Sequence, residues 1–289
     1  MKNAEVRVDG STPMKKQLLR FLRLSLVVYV SFLLALALGQ RRMIYLPTTA
    51  PEREALAIAS ASRIEPWRDA GGAIIGWKRP PRAGVRAANR LVVFHGNAGM
   101  ALDREYFIDG FERLDGGRLW EVYLFEYPGY GARSGSPSQQ TFCAAGADAL
   151  AALRADDSRP IYLLGESLGS GLACALAARD IPGLVLITPF RRLWEVAAHH
   201  YPFLPVRMIL RDPWDNMAAI HSYTGPIAVL VASDDEVIPA VHGRALHHDY
   251  PGPKRLWVHE GATHNTLPIH ESAPWWQEVS DFLLRSESR

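Results

Sequence analysis

One step in the chain limits its folding more than any other: Tyr162-Leu163-Leu164-Gly165-Glu166-Ser167-Leu168-Gly169-Ser170-Gly171. The apolar run from Ile161 to Leu164 reads as a buried strand, and Leu172 to Ala178 is rich in helix formers. Between them, Gly165-x-Ser167-x-Gly169 leaves very few residues in which to change direction. In so tight a turn a Cβ at either glycine would strike a neighbouring strand or helix. Ser167 must then take a strained backbone conformation that pushes its hydroxyl outward. The pattern alone is weak, because with 23 glycines in 289 residues it arises by chance in about one such chain in ten. A glycine-rich strand-to-helix connection with an incidental serine is the competing reading, so partners for Ser167 must decide.

Short apolar runs alternate with helical stretches through most of the chain. Strands are expected at 73–77, 91–94, 121–125, 161–164, 183–187, 227–231 and 255–258. Helices are expected at about 102–114, at 139–153, from the serine to about Arg179, and at 274–284. Strands that are apolar throughout, and not at every second position, belong to a sheet covered on both faces. The expected class is therefore α/β, a mostly parallel sheet flanked by helices. Residues 189–223 break the alternation and carry Trp194, Tyr201, Phe203 and Met208. An insertion there would lie over the strand ends as a small helical lid, with Trp194, Tyr201 and Phe203 expected to bind substrate.

The net charge of +2 hides an asymmetry. Residues 1–42 hold eight Lys or Arg against Glu5 and Asp9, so the remaining 43–289 carry 24 basic and 28 acidic residues. The basic character belongs to the N-terminus, and the body has no nucleic-acid footprint. Leu24 to Gln40 is 17 residues without a charge, preceded by Lys15, Lys16, Arg20 and Arg23. That is long enough for a membrane span, and the basic flank puts the N-terminus in the cytoplasm and the body on the far side, periplasmic if the source is bacterial. A cleaved signal segment, with Ala35-x-Ala37 as its cleavage site and a secreted body, is the alternative. The expected division is thus a tail and anchor at 1–42 and a body at 43–289. Cys143 and Cys174, the only cysteines, fall in Ala-rich helical stretches and read as two buried free thiols.

Three expected strand ends carry the groups needed for acyl transfer, in the order Ser, Asp, His. A serine hydroxyl is a poor nucleophile until an imidazole takes its proton, and a carboxylate fixes the imidazole tautomer. Asp235 is preferred to Asp234 because Asp235-x-x-x-Pro239 matches the spacing of an acid turn. Of ten histidines, His264 alone follows a core strand in a Gly-x-x-His turn with no strand beyond it. The adjacent pairs His199-His200 and His247-His248 point to opposite sides of a helix and make poor metal ligands. The turn His95-Gly96-Asn97-Ala98-Gly99 would offer the Asn97 backbone N–H as one oxyanion donor, with the Leu168 N–H as the other. His95 reads as a structural residue of that loop. The pair Gly129-x-Gly131 fails as a dinucleotide motif because its third glycine falls on Ser134, and Gly165 to Gly171 lacks the lysine of a phosphate loop. No cofactor and no metal are expected.

These residues, together with Gln40 to Pro47, Tyr127 to Gly135 and Gly261 to Asn265, make the chain similar to the α/β-hydrolase superfamily. It most resembles a membrane-anchored branch that reads His-Gly-Asn-Ala-Gly at the oxyanion loop. The resemblance covers nearly all of the chain after residue 40 and implies Ser167, Asp235 and His264 as a triad. Pro128 departs from it, standing where many relatives carry Arg or Ser, and affects loop shape. The same motif set also occurs in serine aminopeptidase-like proteins. The expected function is a serine hydrolase cleaving carboxylic esters or thioesters of an acylated or lipid-like substrate through an acyl-enzyme. The alternatives are an aminopeptidase, for which Glu195 or Asp215 would have to hold a substrate amine, and a non-enzymatic membrane-tethered scaffold.

Overall fold

A computed structural model describes residues 13–286 apart from Arg82 and Glu271; the tail at 1–12 lies outside the described residues. The chain divides into two units between Gln40 and Arg41, two residues before the boundary expected from composition.

Within the first unit lies most of helix α1, Pro13–Ile44. Its 32 residues amount to about 48 Å of helix at ~1.5 Å per residue. Its most apolar window has a mean hydropathy of 2.3 and none of it is buried. The helix is long and apolar enough to cross a membrane, whose hydrocarbon core is about 30 Å thick.

The second unit is built on eight strands: β1 (Glu65–Arg68), β2 (Ile74–Lys78), β3 (Asn89–Phe94), β4 (Trp120–Phe125), β5 (Ile161–Glu166), β6 (Leu184–Ile187), β7 (Ile227–Ala232) and β8 (Lys254–His259). They lie in the order β8-β7-β6-β5-β3-β4-β2-β1. From β4 to β8 every pairing is parallel, while β1 and β2 run antiparallel to their neighbours. Strand β3 sits at the centre, with Phe94 opposite both Phe125 and Gly165. The loop leaving β3 therefore starts beside the Gly165-x-Ser167-x-Gly169 turn. Ile187 faces Leu230, and Ala232 faces His259, so the ends of β5 to β8 share one rim.

Side chains leave a strand alternately to each face, which is why the unbroken apolar runs fill two core layers. Val92, Phe94, Leu163, Leu186 and Val229 point into one layer, and Leu91, Val93, Leu164, Val185 and Leu230 into the other. The first layer is closed by α4 (Gln139–Asp156), α5 (Gly169–Ala175) and α9 (Ala240–Asp249), which contribute Phe142, Leu172 and Leu246. The second is closed by α2 (Glu52–Ala61), α3 (Glu105–Glu112) and α10 (Trp275–Ser286), through Ala55, Phe111 and Trp276.

Residues 189–223 form three short helices, α6 (Leu193–His200), α7 (Val206–Ile209) and α8 (Asn216–Ala219), and Val196 and Trp214 pack into the first core layer. At their base, buried Asp212 accepts two hydrogen bonds from the Arg41 guanidinium at 2.8 and 2.9 Å and one from the Tyr45 hydroxyl at 3.1 Å. Trp214 Nε1 donates in turn to Tyr45 Oη at 3.2 Å.

Three local features differ from expectation. The helix expected to reach Arg179 stops at Ala175, and the chain then turns so that Ile181 is anchored in the core. The helix expected at 102–114 is a single α-helical core with 3₁₀ turns at each end, broken after Leu114 where Asp115 takes φ +47°. The lead-in before β3 holds α2 and the β1–β2 hairpin.

Candidate active site

The turn after β5 has the strained geometry that its sequence demands. Ser167 sits at φ +53°, a conformation L-residues rarely adopt, and its N–H donates to the Ile187 carbonyl at 2.8 Å. A Cβ on Gly169 would run into the Phe94 carbonyl, and one on Gly165 into the backbone of Gly169 and Ser170. Only glycine lets α5 start so close to β3.

Ser167 Oγ lies 3.0 Å from His264 Nε2, and His264 Nδ1 lies 2.7 Å from Asp235 Oδ2. The other carboxylate oxygen, Oδ1, accepts the N–H groups of Val237 at 2.9 Å and Ile238 at 2.7 Å. That turn fixes the buried carboxylate, leaving Oδ2 for the imidazole. Asp234 is exposed and takes a different part: its N–H donates to the Ala262 carbonyl at 2.9 Å, and Ser233 Oγ donates to its side chain while accepting the Gly261 N–H at 2.8 Å. These bonds tie the acid turn to the loop that carries His264.

The N–H groups of Asn97 and Leu168 donate to no acceptor among the described residues. Both belong to segments held from several sides. The Asn97 carbonyl accepts from Leu46 N–H at 2.9 Å and Tyr130 Oη at 2.8 Å, and its side-chain amide donates to Ile44 O at 3.0 Å. His95 is buried, with Nδ1 2.8 Å from Gly96 O and its ring packed on Tyr127 at 4.2 Å. Its Nε2 lies 3.6 Å from Glu126, which is fully buried and accepts the Ala101 N–H at 3.2 Å.

Sequence reasoning missed five supporting residues: Glu126, Arg104, Glu166, Ser170 and Asn216. Glu126 closes strand β4 beneath the oxyanion loop. Arg104 Nε donates to Glu166 Oε2 at 2.7 Å, joining the segment after that loop to the residue before the nucleophile. Ser170 Oγ donates to the Ser167 carbonyl at 2.6 Å and accepts from Asn216 Nδ2 at 3.1 Å; that amide also donates to Phe190 O, linking the elbow to α8. A glutamate directly after an apolar strand was the visible signal for Glu126 and Glu166, because a charge there needs a partner.

Of the expected substrate-binding residues, Trp194 is half-buried under the Arg207 guanidinium at 5.2 Å, Tyr201 is 51% exposed and Phe203 90% exposed. None of the three lines the 240 Å³ cavity beside His264. Cys143 and Cys174 are free thiols. No group of three or more His, Cys, Asp or Glu among the described residues is arranged to hold a metal ion.

Residues 89–213 match a family model described as the alpha/beta hydrolase fold. An uncharacterized protein of Mycobacterium tuberculosis is 36% identical over 253 residues, covering 86% of this chain and 88% of that protein. The alpha/beta hydrolase domain-containing protein 17B of Homo sapiens is 31% identical over 195 residues, 65% of each chain. Among solved structures, Est1E from Butyrivibrio proteoclasticus superposes with a TM-score of 0.60 at 17% identity, covering 77% of this chain and 98% of that one. At that identity the likeness is one of fold.

Proposed function

Because the chain belongs to the α/β-hydrolase family, we propose that it is a serine hydrolase cleaving ester or thioester bonds of an acylated or lipid-like substrate. One observation carries this reading: the unbroken chain from Ser167 Oγ through His264 to Asp235 at 3.0 and 2.7 Å, with the acid held by two backbone donors. His264 Nε2 would take the Ser167 proton as Oγ attacks the acyl carbon, forming the C–O bond of a tetrahedral adduct. Asp235 would stabilise the resulting imidazolium. The Asn97 and Leu168 N–H groups would receive the oxyanion, each such donor being worth about 100- to 1,000-fold in rate. Collapse of the adduct breaks the bond to the alcohol or thiol, which leaves with the proton from His264. Water, activated by the same imidazole, would then release the acid and restore Ser167.

The apolar helix α1 and the exposed Phe203 and Met208 of the lid favour a substrate met at a membrane. The basic residues in the first turns of α1, Lys15, Lys16, Arg20 and Arg23, favour a cytoplasmic N-terminus and an extracytoplasmic body. Both acids that an aminopeptidase would need are engaged elsewhere. Glu195 pairs with Arg192 at 2.9 Å, and Asp215 pairs with Arg192 at 3.0 Å while capping α8.

The test is covalent labelling by a fluorophosphonate probe together with turnover of p-nitrophenyl esters. Labelling and turnover that vanish in Ser167→Ala are expected; a wild-type protein that neither labels nor turns over any ester refutes the reading.

A further inference from the structure

The cavity beside His264 opens on the α3 and α10 side of the sheet, whereas the lid packs into the opposite core layer. Phe107, Ile187, Leu230 and Trp275 form its buried wall, and Leu267 and Ile269 its outer part. It lies beside the triad: His264 is one of its walls, and Glu166 and Ile187, which also line it, flank Ser167, the first by preceding the nucleophile and the second by accepting the Ser167 N–H.

Resting on the serine-hydrolase reading, we propose that this cavity, and not the lid, receives the acyl chain, and that it selects short to medium unbranched chains such as butyryl and octanoyl over palmitoyl. Several polar groups in its wall are already engaged. Arg104 and Glu166 form an ion pair at 2.7 Å, and Trp275 Nε1 donates to the Pro268 carbonyl at 2.7 Å. Burial holds the His259 imidazole below its ordinary pKa, so it adds no charge at neutral pH. The wall thus offers a hydrocarbon chain six apolar side chains without net charge, with the buried His259 Nε2, which has no hydrogen-bond partner among the described residues, as a polar point beside them, and it disfavours a second carboxylate. A volume of 240 Å³ also falls below the ~300–1,000 Å³ of sites for drug-sized ligands, so the cavity holds a fragment and not a long chain.

The test uses the full-length chain in lipid nanodiscs and p-nitrophenyl acetate, butyrate, octanoate and palmitate. The wild type is expected to show its highest kcat/KM on butyrate or octanoate. Leu267→Trp and Ile269→Trp fill the cavity from its outer part, where side chains are not tightly enclosed, and should lower the octanoate-to-acetate ratio roughly tenfold or more. Leu267→Ala should shift the profile toward palmitate. A wild-type maximum on palmitate, or both Trp variants keeping the wild-type ratio within about twofold, overturns the proposal while leaving the hydrolase intact. Binding without turnover separates the two readings. Methyl octanoate should raise the melting temperature of Ser167→Ala, and the added Leu267→Trp should abolish that rise. If no ester is cleaved and no probe binds, the hydrolase reading fails by itself. The cavity is then judged on this melting shift, and its absence overturns the proposal.

Discussion

Replacing Asp235 by Asn changes one oxygen for a nitrogen and little in size. The native carboxylate has Oδ1 on the Val237 and Ile238 N–H groups, at 2.9 and 2.7 Å, and Oδ2 on His264 Nδ1 at 2.7 Å. An amide can keep its oxygen on the backbone and turn its NH₂ to the imidazole, or reverse. Reversal sets NH₂ against two backbone donors and leaves both unmet, at about 1–3 kcal/mol each. The first orientation conflicts with one group only, and the imidazole resolves that conflict by moving its proton to Nε2. The backbone turn therefore dictates the amide's orientation, and with it the wrong tautomer: Nε2–H then faces Ser167 Oγ, where a bare base is needed. An inversion of this kind is worth about 10⁴ in kcat, or about 5.4 kcal/mol at ~1.36 kcal/mol per decade. The assay is single-ester kinetics on the wild type, Asp235→Asn and, as control, Asp234→Asn, with melting temperatures to exclude unfolding. Asp234→Asn keeps the backbone N–H for Ala262 and an amide oxygen for Ser233 Oγ on an exposed side chain, so it should give less than about a threefold loss. An Asp235→Asn variant that keeps more than a tenth of the wild-type kcat, or an Asp234→Asn variant that loses as much, refutes the assignment of the acid.

Two further outcomes are expected elsewhere in the molecule. The Arg159 hydrogen bonds, with help from Arg90, lower the Asp157 carboxyl to about 2 from an ordinary 3.8. A depressed folded-state pKa adds stability above the ordinary value and loses it as pH falls from about 4 through 2, so urea melts should weaken by about 1–2 kcal/mol across that window, and Asp157→Asn should flatten the slope; identical slopes in the two proteins would falsify this. For topology, a C-terminal alkaline phosphatase fusion should be active and a C-terminal green fluorescent protein fusion dark; the reverse pattern places the body in the cytosol.

How far the sequence could be read depended on whether the physics was local. Strands β3, β5, β6 and β7 declared themselves because a strand covered on both faces is apolar at every position, and Gly165, Ser167 and Gly169 lie within five residues of one another. Strand β1 could not, since Glu65-Pro66-Trp67-Arg68 is a half-solvated edge strand with one buried side chain. Helix α2 buries only Ala55 and Ala59 and so shows no wide apolar stripe, and α9 mixes Gly243 with histidines. His264 was legible from its place after the last core strand. The contacts of Arg104 with Glu166, of His95 with Glu126 and of Ser170 with Asn216 were not. Each joins residues dozens of positions apart, and only the register of β3, β4 and β5, or the return of the lid, brings them together. The cavity was hidden for the same reason, as its walls come from separate stretches of chain spread from Arg104 to Trp275.

The forked bond between Arg41 and Asp212 fastens the first residues of the body to the segment that joins α7 to α8. Trimming the protein after Ala37 would leave that clasp whole. Trimming two residues past Gln40 would remove Arg41 and abandon an enclosed carboxylate to the Tyr45 hydroxyl alone, a loss that ion pairs of this kind tolerate poorly. A released form of the protein that begins at Arg41 or earlier thus keeps α7 and α8 pinned to its first residues, and one that begins at Met43 loses the two Arg41 bonds.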